Sequence, residues 1–109
     1  MTDAILVLVT APTADKAAEL ARTLVEEQLA ACGNIVPGLR SIYRWEGKVH
    51  DEAEVLLLLK TQAALFEPLR QRILALHPYQ VPEVLRLGIE AGHAPYLDWI
   101  RDNVRASSR

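Results

Sequence analysis

An α+β sandwich with element order β-α-β-β-α-β, closed by a third helix, is predicted by three observations. Two nearly continuous apolar runs, residues 4–9 and 55–59, have the length and composition of strands buried on both faces. Two segments, 13–25 and 61–76, carry apolar residues at three-and-four spacing, the mark of helices that bury one stripe. Between them lies a long hairpin pattern bearing Tyr43 and Trp45. The 109 residues are enough for one core and read as one domain, 1–109. With 50% hydrophobic and 24% charged residues the chain is too apolar to stay disordered.

The run 4–9 closes at Thr10-Ala11-Pro12 and reads as a central strand. Thr13 is placed to cap the next helix. Asp15 sits in its first turn, its stripe is Ala17, Leu20, Ala21, Leu24 and Val25, and Gly33-Asn34 is read as its stop. The hairpin's first arm, 34–45, contains Pro37 and Gly38. A proline removes a ladder hydrogen bond and a glycine weakens packing, so this arm is predicted to be an edge strand, bent or bulged near Pro37. After a turn at Glu46-Gly47-Lys48 the second arm runs 49–60. Its stretch from Glu54 to Lys60 is nearly all apolar and is predicted to be central.

Leu65, Phe66, Leu69, Ile73 and Leu76 mark the second helix, with Pro68 tolerated in its first turn. That helix must end before Pro78, whose ring excludes a helical conformation for the preceding residue. His77-Pro78-Tyr79-Gln80-Val81-Pro82 then reads as an extended linker. Leu85, Leu87 and Ile89 alternate with Arg86 and Gly88 as a half-exposed fourth strand. Pro95 opens a last helix with Tyr96, Trp99, Ile100 and Val104 on one stripe, and 106–109 reads as a frayed tail.

This order is the ferredoxin-like split βαβ pattern. Right-handed crossovers put the first and third strands in the middle and leave the second on an edge. A long aromatic edge strand is an aggregation hazard unless something covers it, and further copies of the chain, added by strand pairing in a closed ring, are the predicted cover. With 12 Lys plus Arg against 14 Asp plus Glu, the net charge of −2 offers no basic field for nucleic acid or an anionic membrane. A single cysteine, Cys32, cannot form an internal disulfide and suits a reducing compartment. No basic flank or cleavage signal accompanies 4–9, which is also too short to cross a bilayer, so a cytoplasmic protein is expected.

Among residues that carry chemistry, Cys32 lies in an apolar Ala-Ala-Cys context and reads as core. His77 and Glu83 admit two readings. They form a mixed imidazole and carboxylate metal site, held apart at a fixed distance by the stiff chain between Pro78 and Pro82. Alternatively, His77 caps the preceding helix with its imidazole near the last carbonyls, and Glu83 pairs with Lys60 or an arginine. His50 and His93 read as loop residues. A pocket or interface between subunits is predicted to gather Tyr43, Trp45, Lys60, Tyr79 and Glu83, because aromatic walls with a few charges suit either a small ligand or an interface. No glycine-rich phosphate loop is present. Ser41, Ser107 and Ser108 lack a nucleophile elbow and no acid pair stands out, so no enzyme is expected.

Three motifs, taken together, are specific: Leu29-Ala30-Ala31-Cys32 with Asn34-Ile35-Val36-Pro37-Gly38; Ser41-Ile42-Tyr43-Arg44-Trp45-Glu46-Gly47-Lys48; and His77-Pro78-Tyr79-Gln80-Val81-Pro82-Glu83. With Tyr96-Leu97-Asp98-Trp99 they span about 7–104, and the chain so described resembles the CutA family of divalent-cation tolerance proteins. The resemblance implies a ferredoxin-like homotrimer, similar in architecture to the PII signalling proteins. It also implies an association with tolerance to copper and other divalent cations, and no known enzymatic activity. Copper-binding members carry a cysteine before the first Thr-Ala-Pro, a histidine ahead of His-Pro-Tyr and a glutamate after the second proline. Those positions hold Val9, Leu76 and Glu83 here.

Overall fold

The computed structural model describes residues 2–106. Its strands are β1 (Ala4–Ala11), β2 (Cys32–Trp45), β3 (Lys48–Gln62) and β4 (Leu85–Gly88). Its helices are α1 (Ala14–Glu26), α2 (Phe66–Leu76, preceded by a 3₁₀ turn over Ala63–Leu65) and α3 (Ala94–Asp102). The four strands form one antiparallel sheet in the order β2-β3-β1-β4, the ferredoxin-like arrangement with the first and third strands central.

Strand alternation sorts the side chains onto two faces. Val7, Val9, Leu57 and Leu59 point to one face and are fully buried beneath α1 and α2, which contribute Ala17, Leu20, Leu24, Leu69 and Ile73. The other face carries Leu6, Leu8, Leu56 and Leu58. It is covered at one end only, where Ile100 of α3 packs on Ala4 and Ala31. On β4, Leu85 and Leu87 pair with Leu8 and Leu6 and so stand on this open face, 55% and 50% exposed. The predicted half-exposed strand is exposed throughout in a single chain, its open-face leucines uncovered by the described residues and Arg86 lying over the Phe66 ring on the other side.

Several local expectations hold with a physical cause that the coordinates make visible. Thr13 Oγ1 accepts the Lys16 amide at 3.1 Å, capping α1. The register of β2 against β3 slips between Val36 and Leu39, and Gly38 at φ +84° absorbs the bulge. Glu46 and Gly47, both at positive φ, close the hairpin in two residues between the paired Trp45 and Lys48. Pro68 falls in the first turn of α2, and His77 is extended ahead of Pro78.

Other expectations are corrected. Gly33 does not stop α1: the helix ends at Glu26, and Gln28 at φ +59° turns the chain. Gly33 lies inside β2, where a Cβ would sit 2.8 Å from the Ala21 Cβ, so it is a packing glycine that lets α1 approach the sheet. Val25 is 38% exposed and stands off the buried stripe of α1. Cys32 is half-buried and not core. It pairs in register with Lys60, and its Sγ lies 3.5 Å from the Asn34 Oδ1. Of the expected frayed tail, 107–109 lie outside the described residues.

Beyond Val55, β3 has no partner but β2, so residues 39–54 form a two-stranded ribbon projecting from the body. The radius of gyration, 14.4 Å, accordingly exceeds the about 13 Å expected of a compact chain of this length. Gly33→Ala is expected to lower the unfolding free energy by about 1–3 kcal/mol, since the added methyl group must push the Ala21 Cβ, and α1 with it, away. Urea unfolding measures this, and an unchanged midpoint would show that α1 does not depend on the close approach.

Candidate functional site

The chain gathers its polar and aromatic groups where the ribbon leaves the sheet. Glu52 and Glu54 continue the alternation of Leu56 and Leu58 and so emerge on the open face. Ser41 pairs with Glu52 and Tyr43 with His50, which brings Ser41, Tyr43 and Trp45 of β2 to the same face. The linker after α2 crosses above them. Together these segments enclose a cleft of about 530 Å³ whose lining includes Thr10, Tyr43, Trp45, Glu54, Tyr79 and Glu83.

His77 fastens the linker. Its ring is buried, with Nε2 2.7 Å from the Thr10 carbonyl and Nδ1 3.1 Å from the Tyr79 amide. An amide N–H only donates and a carbonyl only accepts, so Nδ1 carries the lone pair and Nε2–H donates to Thr10. The amide of His77 closes α2 onto the Ile73 carbonyl, but the imidazole serves the end of β1 and not the helix carbonyls, which corrects the capping reading. Both ring nitrogens are engaged, leaving none for a metal shared with Glu83.

Tyr79, two residues on, leans on the His77 ring with centroids 4.6 Å apart and donates its hydroxyl to Glu54 Oε2 at 2.6 Å. Tyr43 stacks on His50 at 5.2 Å and donates its hydroxyl to Glu52. Burial raises the Tyr79 phenol, and the carboxylate of Glu54 that accepts its proton adds to the rise. For Tyr43 the hydrogen bond to Glu52 leads and burial follows. The Glu83 carboxyl is raised by burial first and by the charge of Glu54 second. Among the described residues no lysine, arginine or histidine lines the cleft.

Four of the five residues predicted to share a pocket, Tyr43, Trp45, Tyr79 and Glu83, do so within one chain. Lys60 does not. It lies six residues along β3 from Glu54, about 20 Å at strand rise, where its Nζ donates to the Tyr96 hydroxyl at 3.1 Å and sits over that ring. Glu83 therefore has no ion pair with Lys60, nor with an arginine among the described residues. Glu54 was missed in the sequence, although the alternation through Leu56 and Leu58 places it on the cleft side.

The copper ligands implied by the resemblance do not fit. Val9 is fully buried beneath the helices, on the opposite face of β1 from Thr10 and the cleft. Leu76 offers no donor, and His77 is committed. Among the described residues no group of three or more His, Cys, Asp and Glu is arranged to hold a metal ion.

The fold and cleft define a class: a small ferredoxin-like α+β protein with an aromatic, acidic recess running along one face of a projecting hairpin. The chain belongs to the CutA1 divalent ion tolerance family, whose model matches residues 5–103. The divalent-cation tolerance protein CutA of Thermus thermophilus is 54% identical over 98 residues, 90% of this chain and 95% of that one. The chloroplastic protein CutA of Arabidopsis thaliana is 48% identical over 101 residues, and the chain spans only 56% of its length. The crystal structure of CutA1 from Oryza sativa superposes with a TM-score of 0.94 at 44% identity, covering 97% of each chain.

Glu83 generates a pH prediction. Its folded-state carboxyl binds a proton more tightly than the unfolded chain does, so the folded state gains stability below the ordinary carboxylate value and loses it as pH rises through the raised one. Glu83→Gln removes that penalty. The variant is expected to melt higher than the parent at pH 7, with the difference shrinking toward pH 3. A parent that melts at or above the variant at pH 7 would contradict it.

Proposed function

We propose that the chain works as a cytoplasmic homotrimer in the response to divalent cations, copper among them, and catalyses no reaction. Family membership supports the cation response. The observation that carries the assembly is the uncovered sheet face. Leu85 and Leu87 are at least half exposed there, and Ile42 and Val49, on the opposite face of the ribbon from Tyr43, are 66% and 64% exposed. Apolar area of this extent, continuous with a two-stranded ribbon that is marginal on its own, is what a subunit interface covers. Two unpaired sheet edges, β2 and β4, supply backbone groups for strand addition. No helix among the described residues is long and apolar enough to cross a membrane. The Arabidopsis relative is named chloroplastic, so the compartment is part of the proposal.

Copper is the ion to test first, although the donors of a thiolate and imidazole site are missing and the carboxylates of the cleft are the groups that remain. A second reading, a PII-like sensor of a small molecule, is favoured by the cleft itself, whose volume lies within the range of ligand pockets.

Trp45→Ala is expected to weaken the trimer, because a large aromatic at an interface centre contributes on the order of 2 kcal/mol or more. Sedimentation velocity reads this directly, and an unchanged distribution at low micromolar concentration would remove Trp45 from the interface. Calorimetric titration with Cu²⁺ is expected to show binding weakened in Glu83→Ala. Equal affinity in the parent and Glu83→Ala would exclude Glu83 as a ligand.

A further inference from the structure

We propose that the cleft between Trp45, Tyr79 and Glu83 binds an organic ammonium cation, with the aromatic rings facing its alkyl body and Glu54 and Glu83 receiving its charge. This rests on the sensor reading of the same cleft and names the chemistry of its ligand.

The charge lining the cleft has one sign. Glu54 and Glu83 contribute carboxylates and no basic side chain among the described residues lines the cleft, which disfavours nucleotides and other anions. Glu54 is held by the Tyr79 hydroxyl at 2.6 Å, so its position is fixed before a ligand arrives. Glu83 has no hydrogen-bond or ion-pair partner among the described residues, and burial together with the charge of Glu54 raises its carboxyl. A cation in the cleft relieves both penalties at once.

The rings point to the organic class. Three aromatic residues, Tyr43 and Trp45 from the ribbon and Tyr79 from the linker, line the cleft, and aromatic faces attract ammonium groups through their quadrupoles while covering alkyl chain. Two of these rings are backed by histidines, His50 behind Tyr43 and His77 against Tyr79, which sets their planes. A volume of about 530 Å³ is far more than a bare ion fills, and among the described residues no group of three or more His, Cys, Asp and Glu converges to hold one.

Calorimetry on the intact protein with n-butylamine and 1,4-diaminobutane, against 1-butanol as the uncharged match and Mg²⁺ as the inorganic one, tests this. Both amines are expected to bind, at least tenfold more tightly than 1-butanol. Glu83→Gln is expected to weaken them about five- to tenfold, the factor that loss of one partly desolvated ionic contact corresponds to. Glu26→Gln, an exposed carboxylate at the end of α1 and away from the cleft, is expected to leave them unchanged. Equal binding of 1-butanol, indifference to Glu83→Gln, or displacement of the amines by millimolar Mg²⁺ would each overturn the proposal. Sedimentation of the same samples separates this failure from failure of the assembly: a trimer that binds no amine overturns only the ligand, and a monomer that binds amines overturns only the trimer.

Discussion

The pairing of β1 with β3 is the constraint on which the rest of the structure depends. Eight consecutive residue pairs, from Ala4 with Gln62 to Ala11 with Val55, lock two strongly apolar strands side by side. Because side chains alternate, a slip of one residue would turn Val7, Val9, Leu57 and Leu59 away from the helices and bring Lys60 under them. The core therefore fixes the register, and the register fixes what each face presents. Everything on the open face, from Leu6 and Leu8 to Glu54, stands where it does because its neighbours in the chain are needed beneath α1 and α2.

This coupling explains why apolar surface and ligand-sized cleft lie on one face. β3 is longer than β1, so past Val55 it continues with only β2 beside it. The same alternation that presents Leu56 and Leu58 within the sheet presents Glu54 and Glu52 beyond it. The linker after α2 is returned to that spot by His77, whose two ring nitrogens tie the end of β1 to the backbone of Tyr79. A histidine whose residue type suggests a ligand is here a fastener, and its value lies in placing Tyr79 on Glu54 and Glu83 at the rim.

The electrostatics of the cleft follow from the same placement. Burial leads the rise of Glu83 and Tyr79, and the hydrogen bond to Glu52 leads that of Tyr43, while the basic side chains that form ion pairs do so elsewhere, Arg72 with Glu27 and Arg40 with Asp51 among them. The Arg72 and Arg40 guanidiniums hold the Glu27 and Asp51 carboxyls below their usual values, the opposite sense to Glu83. Glu27 and Asp51 are thus neutralised within the chain, whereas Glu83 has no ion pair among the described residues.

The order and type of the elements were legible in the sequence, as were the central strands, the bulge at Pro37 and the end of α2 before Pro78, because each is set by local periodicity or by the backbone chemistry of one residue. The motifs likewise carried the family. What the sequence could not decide was which residues meet across the fold. Gly33 looks like a helix stop and is a contact with Ala21; His77 looks like a cap or a ligand and bonds Thr10, 67 residues away in the chain. Lys60 and Glu54 lie on one strand and face the same side, yet only the extended rise of β3 sends one to α3 and the other to the cleft. Local rules are written in neighbouring residues, whereas a site is made by segments that the closing of the sheet brings together.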